Sequence, residues 1–245
     1  MQPHAHTAGS RPRAGAMPGV NPVAAAIWPT VLFVCGFVVL QFGGLDDWII
    51  SRFYDAQQHA FPLRNAFLTQ TVLHDGGRRA MQLFVALLVV ALLASPFVAR
   101  LKPWRWRLLY LVIAIGLSVG TVNVGKRVSN VDCPWDLTAF GGDRVHYGLF
   151  DRKPPSAPVG KCFPGGHSSG GFALLALYFV GVASGMRHAR RLLVPGLLIG
   201  GVFALDQWVR GAHFPSHDLT TAYLCWMLSL VCYRLLPARH RQPGG

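Results

Sequence analysis

Charged residues are scarce in this sequence, and acidic residues are the scarcest. Only 13% of the 245 residues are charged, with 10 Asp and Glu against 23 Lys and Arg. Soluble domains are about 25% charged, so the composition argues against a soluble protein and favours a membrane protein. The basic residues lie mostly between apolar runs. That placement argues against nucleic-acid binding and is typical of topology signals and of contacts with anionic lipids or phosphates.

Cysteine patterns for metal binding are also missing. The five cysteines form no CxxC pair and no Cys/His spacing typical of a zinc site. The sequence therefore predicts neither a metal nor a cofactor. Cys35, Cys225 and Cys232 lie in apolar runs, where cysteine acts as a small core residue. Cys133 and Cys162 share one polar segment.

Long apolar runs dominate the chain instead. Each is long enough, or nearly so, to cross about 30 Å of hydrocarbon. The six runs cover 24–43, 80–98, 108–125, 168–186, 192–209 and 217–236. We predict an all-α integral membrane protein, a bundle of six transmembrane helices over 23–237. A disordered cytoplasmic N-terminus over 1–22 and a cytoplasmic tail over 238–245 complete the predicted organisation.

The short basic loops predict the orientation. "RLKPWRWR", "RHARR" and the basic C-terminal tail fall on one side of the predicted bundle, and the positive-inside rule places them in the cytoplasm together with both termini. Segments 44–79, 126–167 and 210–216 then face outward. Residues Ile50 to Gln57 follow helical spacing, as either an interfacial amphipathic helix or a helix packed over the bundle. We favour the packed helix.

Three polar clusters meet the outer membrane interface in this topology. They read "KRVSNVDCPWD" from Lys126, "PGGHS" from Pro164 and "DQWVRGAHFPSHD" from Asp206. Ionisable residues at this depth are functional candidates. Glycines that open a helix leave backbone N–H groups uncovered for an anion, which Gly165 and Gly166 would do here.

The side chains of these clusters suit phosphate chemistry. Lys126, Arg127 and Arg210 are cations that bind phosphate. His167 and His213 can each gain or lose a proton near neutral pH, so that one can attack phosphorus while the other protonates the leaving oxygen.

A third group is expected to orient the nucleophilic imidazole. Asp218 and His217 lie about one helical turn beyond His213, where either can fix its tautomer. We favour the carboxylate of Asp218, because it stabilises an imidazolium better than a neutral ring does.

Together the clusters resemble the motifs of the type 2 phosphatidic acid phosphatase (PAP2) superfamily, K-x6-R-P, P-S-G-H and S-R-x5-H-x3-D. The resemblance covers about 80–236, and the order and spacing of the clusters match as well. It implies that His213 is the nucleophile, which forms a phosphohistidine. It further implies that His167 is the general acid for the leaving group and that Lys126 binds phosphate.

The chain departs from these motifs at several positions. Cys133 stands in place of the first-motif arginine, and Gly165 in place of the second-motif serine. Asp206 and Gln207 replace the Ser-Arg pair of the third motif, whose aspartate falls on His217. Arg210 lies three residues after Gln207, on the same helix face, and can replace the missing arginine. Asp218 follows His217 directly.

Cys133 and Cys162 are the only cysteines predicted outside the membrane. A disulfide between them would link the first motif to the second and contribute about 3–4 kcal/mol by closing a loop of about 30 residues. The alternative is two free thiols, and we favour the disulfide.

The expected function is metal-independent hydrolysis of a lipid phosphate at the outer face of a bacterial inner membrane. Candidate substrates are phosphatidate, phosphatidylglycerol phosphate, undecaprenyl diphosphate and the lipid A phosphate. The alternatives are a lipid phosphotransferase that uses the same phosphohistidine, and a catalytically silent protein that binds phospholipid. No sequence feature indicates the oligomeric state.

Overall fold

The computed structural model describes residues 20–237, and all regular elements in that range are helical. The all-α prediction is therefore confirmed. The predicted disordered segment 1–22 falls almost entirely outside the described residues, as does the predicted tail 238–245. The helices are α1 (Pro22–Phe42), α2 (Leu45–Ser51), α3 (Gly77–Ala94), α4 (Arg105–Val128), α5 (Gly166–Phe172), α6 (Ala176–Ala183), α7 (Leu193–Val209) and α8 (Pro215–Leu235).

Five helical stretches in residues 20–237 are long and apolar enough to cross a membrane. They are Pro22–Phe42, Phe67–Ala94, Lys102–Val128, Gly166–Ala183 and Ala189–Val209. The protein is an integral membrane protein, but the predicted count of six spans is not confirmed. The helix α8 has 21 residues and is long enough. Its first turns carry polar side chains, including His217 and Asp218, which lower its apolar character.

The second span begins much earlier than predicted. A π-helix, Phe67–Gly76, leads directly into α3, so the helical stretch starts at Phe67 and not near residue 80. This π-helix brings His74 into the polar end of the bundle. In the apolar window of this stretch, 0% of the residues are buried within the protein. A face this apolar and uncovered is typical of contact with lipid.

The core lies between α4, α8 and the pair α5–α6, which a short 3₁₀ segment, Ala173–Leu175, joins. The hydroxyl of Tyr110 donates to the carbonyl of Ser229 at 3.0 Å and links α4 to α8 inside this core. The helices α5 and α7 cross in close contact, because a Cβ on Gly171 would lie 2.2 Å from the backbone nitrogen of Gly200. Small residues allow such crossings in membrane helix bundles.

The short helix α2 packs over the end of the bundle at which α8 begins. It ends at Ser51, so the predicted helical spacing to Gln57 is wrong beyond that residue. Ile50 is fully buried in a second apolar cluster with Phe61, Leu137, Phe140 and Phe214. Asp46 on α2 accepts a hydrogen bond from the backbone N–H of Ser216 at 2.9 Å. This bond satisfies a free N–H at the start of α8 and helps to place that helix.

Candidate active site

The three polar clusters converge at one end of the bundle. Lys126 lies in the last turn of α4, Gly166 opens α5, and His213 lies in the turn between α7 and α8. The Lys126 ammonium packs against Gly166, since a Cβ on that glycine would lie 3.0 Å from Lys126 Nζ. The charge of Lys126 also acts on the His213 ring. The predicted nucleophile, phosphate-binding lysine and helix entry therefore form one cluster.

The geometry of His213 leaves one ring nitrogen available for attack. His213 is 3% exposed, and its Nδ1 lies 2.8 Å from the carbonyl oxygen of Cys162. A carbonyl only accepts hydrogen bonds, so Nδ1 carries the proton and Nε2 keeps its lone pair. Burial, followed by the positive charge of Lys126, holds the pKa of His213 well below its usual range. The ring is therefore neutral at neutral pH.

Asp218 does not orient His213, contrary to the sequence-based expectation. Its Oδ1 accepts from the Ser168 hydroxyl at 2.5 Å, and its Oδ2 accepts from the Trp208 ring N–H at 2.7 Å. Both carboxylate oxygens are thus engaged between α5, α7 and α8. The alternative, His217, does not take the role either, because the partner of His213 Nδ1 is the Cys162 carbonyl. A backbone group replaces the acid of the expected triad.

Gly165 is also placed differently from the expectation. Its N–H is not open to an anion, because it donates to the carbonyl of His217 at 3.1 Å. A Cβ at this position would lie 2.0 Å from Asp218 Oδ1. The carboxylate of Asp218 therefore excludes the serine of the family motif. Gly166, the first residue of α5, remains as the glycine beside Lys126.

The two arginines of the prediction differ in their placement. Arg210 is 5% exposed and donates from Nε to the Arg64 carbonyl at 2.9 Å. A second nitrogen bonds to the Gln70 side chain, whereas Nη1 has no hydrogen-bond partner within residues 20–237 and lies 3.7 Å from Asp206 Oδ2. Arg127 is exposed on α4 and lies outside the buried cluster.

His167 faces a group of residues that the sequence did not single out. Its ring Nε2 is buried and has no hydrogen-bond partner among the described residues. The rings of His167 and His74 lie 4.5 Å apart. Residue 74 precedes the predicted second span, and only an isolated His-Asp pair marks it in the sequence.

Cys133 and Cys162 form a disulfide in the structure, with Cα atoms 5.2 Å apart. The backbone N–H of Cys162 also bonds to the Val131 carbonyl at 3.0 Å. These links connect the segment after α4 to the segment before α5. They hold the same Cys162 carbonyl that accepts from His213.

The fold and the site together define a helical membrane protein in which a buried histidine, His213, lies near a half-buried lysine, Lys126, in a cluster suited to phosphate. The sequence model of the family described as the PAP2 superfamily matches residues 107–241. The chain therefore belongs to the PAP2 superfamily, whose members are in general phosphatases, and the predicted family is confirmed. Searches among curated proteins and among solved structures find no match.

Proposed function

We propose that the protein hydrolyses a phosphomonoester or diphosphate on a lipid headgroup, with His213 as the nucleophile. The observation that carries this proposal is the buried His213, whose Nδ1 bonds to the Cys162 carbonyl and whose Nε2 is left for phosphorus. Membership of the PAP2 superfamily supports a phosphatase. Location within an apolar helix bundle supports a lipid substrate.

The phosphate oxygens bind to the surrounding cations and to the start of α5. Lys126 Nζ supplies a positive charge beside Gly166, whose N–H lies at the positive end of the helix dipole. Arg210 Nη1 adds a donor that is free of other hydrogen bonds within residues 20–237. These donors stabilise the charge that develops on the phosphoryl group in the transition state.

The reaction proceeds in two steps. His213 Nε2 attacks phosphorus, and the bond from phosphorus to the lipid oxygen breaks. His167, protonated at Nε2 when the anionic phosphate binds, gives that proton to the departing oxygen. The neutral His167 then accepts a proton from a water molecule that attacks the phosphohistidine. This second step releases inorganic phosphate and restores His213.

The proposed substrates are anionic amphiphiles whose phosphate lies at headgroup level: phosphatidate, phosphatidylglycerol phosphate, undecaprenyl diphosphate or the lipid A phosphate. Basic residues in the segments proposed to face outward, among them Arg152 and Lys161, suit such headgroups. The proposed location is the outer face of a bacterial inner membrane. No step of this mechanism uses a metal ion.

The test is phosphate release by the purified protein from a panel of these lipids, each labelled with isotopic phosphate. We expect free phosphate from at least one lipid, activity that persists in a chelator, and a labelled protein intermediate that is stable to base and labile to acid. His213→Ala should abolish both the release and the label. The exposed His188→Ala serves as the matched control and should retain both.

Three outcomes would contradict the proposal. Unchanged activity in His213→Ala would remove the nucleophile assignment. Isotope that appears on an acceptor lipid and not as free phosphate would instead support phosphotransfer. Absence of release from every lipid by the wild-type protein would favour a silent, lipid-binding protein.

A further inference from the structure

A second cluster of ligand-type side chains lies next to the phosphate site. His74, His167 and Asp206 each present one ligand atom, and these atoms lie within 4.8 Å of one another. The three residues come from the π-helix, from α5 and from α7. Two imidazoles and one carboxylate are a donor set that divalent transition metals prefer. The proposed hydrolysis uses only His167 of this group.

Two polar atoms of these side chains are buried without a partner. His167 Nε2 and Asp206 Oδ1 have no hydrogen bond within the described part of the chain. Buried polar atoms are nearly always paired, because an unpaired one costs about 1–3 kcal/mol. In the neutral ring with its proton on Nδ1, His167 Nε2 presents a lone pair. Both unpartnered atoms can thus donate an electron pair, and they belong to side chains whose ligand atoms lie within 4.8 Å of one another.

The side chains of Gln207 and Arg210 contact members of this cluster. Gln207 Nε2 donates to Asp206 Oδ2 at 2.6 Å and lies 3.2 Å from His74 Nδ1. Arg210 Nη1 lies 3.7 Å from the same Oδ2, which leaves Oδ1 free. The bond to Asp206 can persist when a metal ion binds and orients that carboxylate. The ion would displace the Gln207 N–H from the lone pair of His74 Nδ1. A carboxylate repels phosphate, so Asp206 does not fit a second phosphate-binding role.

The site arises where this chain departs from the family motif. Asp206 stands in place of the third-motif serine, and Gln207 stands in place of the arginine. His74 reaches the site from the π-helix that precedes α3. Single π-helical turns occur often at functional sites.

The structure assigns a divalent transition-metal site to His74, His167 and Asp206, at which bound zinc inhibits the enzyme. The ion takes the lone pair of His167 Nε2, the atom that carries the proton for the leaving oxygen in the proposed hydrolysis. The inhibitory effect rests on that proposed function, whereas the binding does not. Ligand atoms around tetrahedral zinc lie about 3.4 Å apart. The side chains therefore move inward by roughly 1 Å when the ion binds.

Metal binding is tested first, without substrate. Cobalt(II) added to the purified, metal-free protein should give a visible absorption band typical of tetrahedral coordination, and zinc should displace it. His74→Gln and Asp206→Ser each remove one ligand, and the serine restores the family residue. We expect both variants to weaken zinc binding by at least 10–100-fold, roughly the cost of disturbing a metal site. His188→Gln, at an exposed histidine, is the matched control.

Inhibition is tested second, with phosphate release measured against each variant's own rate without zinc. Zinc should inhibit the wild type and His188→Gln, and His74→Gln should need at least about tenfold more zinc for half inhibition. Thermal unfolding of each variant verifies that it is folded.

Two results would overturn the assignment. Equal zinc affinity in all four proteins would show binding elsewhere, whatever the activity. Tight binding that both ligand variants abolish, without any loss of phosphate release in the wild type, would remove the inhibitory role. If the wild type releases no phosphate, the cobalt spectrum still decides whether the metal site exists.

Discussion

At the scale of single residues, Gly165 and Asp218 constrain each other. The Asp218 carboxylate is held by Ser168 and Trp208, and it occupies the space where a side chain on residue 165 would begin. The loss of the motif serine is therefore a consequence of where Asp218 packs. The hydroxyl of Ser168 already bonds to this carboxylate, so a second hydroxyl at 165 has no place.

Restoring the family serine should destabilise this protein. In Gly165→Ser, the new Cβ would lie 2.0 Å from Asp218 Oδ1. Either α5 and α8 must separate, or the carboxylate must move away from Ser168 and Trp208. We expect a loss of about 1–3 kcal/mol in the free energy of unfolding and a lower melting temperature, measured by thermal unfolding in detergent. Gly116→Ser is the control, because nothing lies within 4 Å of its Cβ position. An unchanged melting temperature in Gly165→Ser alone would contradict this packing.

The pH dependence should reflect the depressed pKa of His213. Burial and the charge of Lys126 keep its pKa well below 6.5 in the folded protein. The unfolded state therefore binds a proton near pH 6.5 that the folded state does not, so the free energy of unfolding should fall as the pH drops below about 6.5. The acidic limb of the pH profile, where kcat/KM falls because His213 becomes protonated, should likewise lie below pH 6.5. A limb at or above pH 6.5 would contradict this assignment.

The same titration can be tested through Lys126. Lys126→Gln removes a positive charge near His213, which should move the acidic limb of kcat/KM to higher pH. The variant should also bind phosphate less tightly, which lowers kcat/KM at every pH. The test therefore uses the pH at which kcat/KM falls and not the size of kcat/KM.

At the scale of elements, the disulfide connects the two segments that frame the nucleophile. Cys133 and Cys162 are separated by 29 residues, and the Cys162 carbonyl accepts from His213 Nδ1. The bond can therefore act on stability and on the orientation of the nucleophile together.

Removal of the disulfide should lower both stability and activity. We expect Cys133→Ser to cost about 2–5 kcal/mol of unfolding free energy. Because the Cys162 carbonyl becomes less fixed, kcat should fall more than KM rises. Thermal unfolding and steady-state kinetics measure the two effects, with the free cysteine variant Cys35→Ser as control. Alkylation of both Cys133 and Cys162 in the native, unreduced protein would exclude the disulfide.

At the scale of the whole molecule, α8 decides the topology. With five crossings the two termini lie on opposite sides of the membrane, whereas a sixth crossing by α8 brings them to the same side. The start of α8 is buried in the site, since Ser216, His217 and Asp218 are each at most 2% exposed. Polar residues that are buried within protein are tolerated at membrane depth. We therefore expect α8 to cross.

Labelling with a membrane-impermeant maleimide tests this topology in intact cells. In a Cys35→Ser background, Ser156→Cys in the outer segment should react. Arg187→Cys, in a loop predicted to be cytoplasmic, should react only after the membrane is permeabilised. Pro237→Cys should behave in the same way, because α8 returns the chain to the cytoplasm. Reaction of Pro237→Cys in intact cells in which Arg187→Cys stays protected would show that α8 does not cross. Reaction of Arg187→Cys but not Ser156→Cys in intact cells would show that the protein has the opposite orientation in the membrane.

Local sequence predicted the helices well and the cluster only in part. Apolar runs of about 20 residues specify helices in a membrane, because the backbone has no other way to satisfy its polar groups there. The positions of Lys126, His167 and His213 at helix ends placed them at one interface. His74 could not be predicted, because the π-helix that carries it precedes the second apolar run.

The sequence by itself determined the class of protein, the all-α fold and the motif residues of the PAP2 superfamily, since composition, run length and spacing are local properties. Only the tertiary structure decided the partners of those residues. It paired His213 with a backbone carbonyl, engaged Asp218 with Ser168 and Trp208, and brought His74 to His167. Such pairings join atoms far apart in the chain, so the packing of the helices determines them and spacing along the sequence does not.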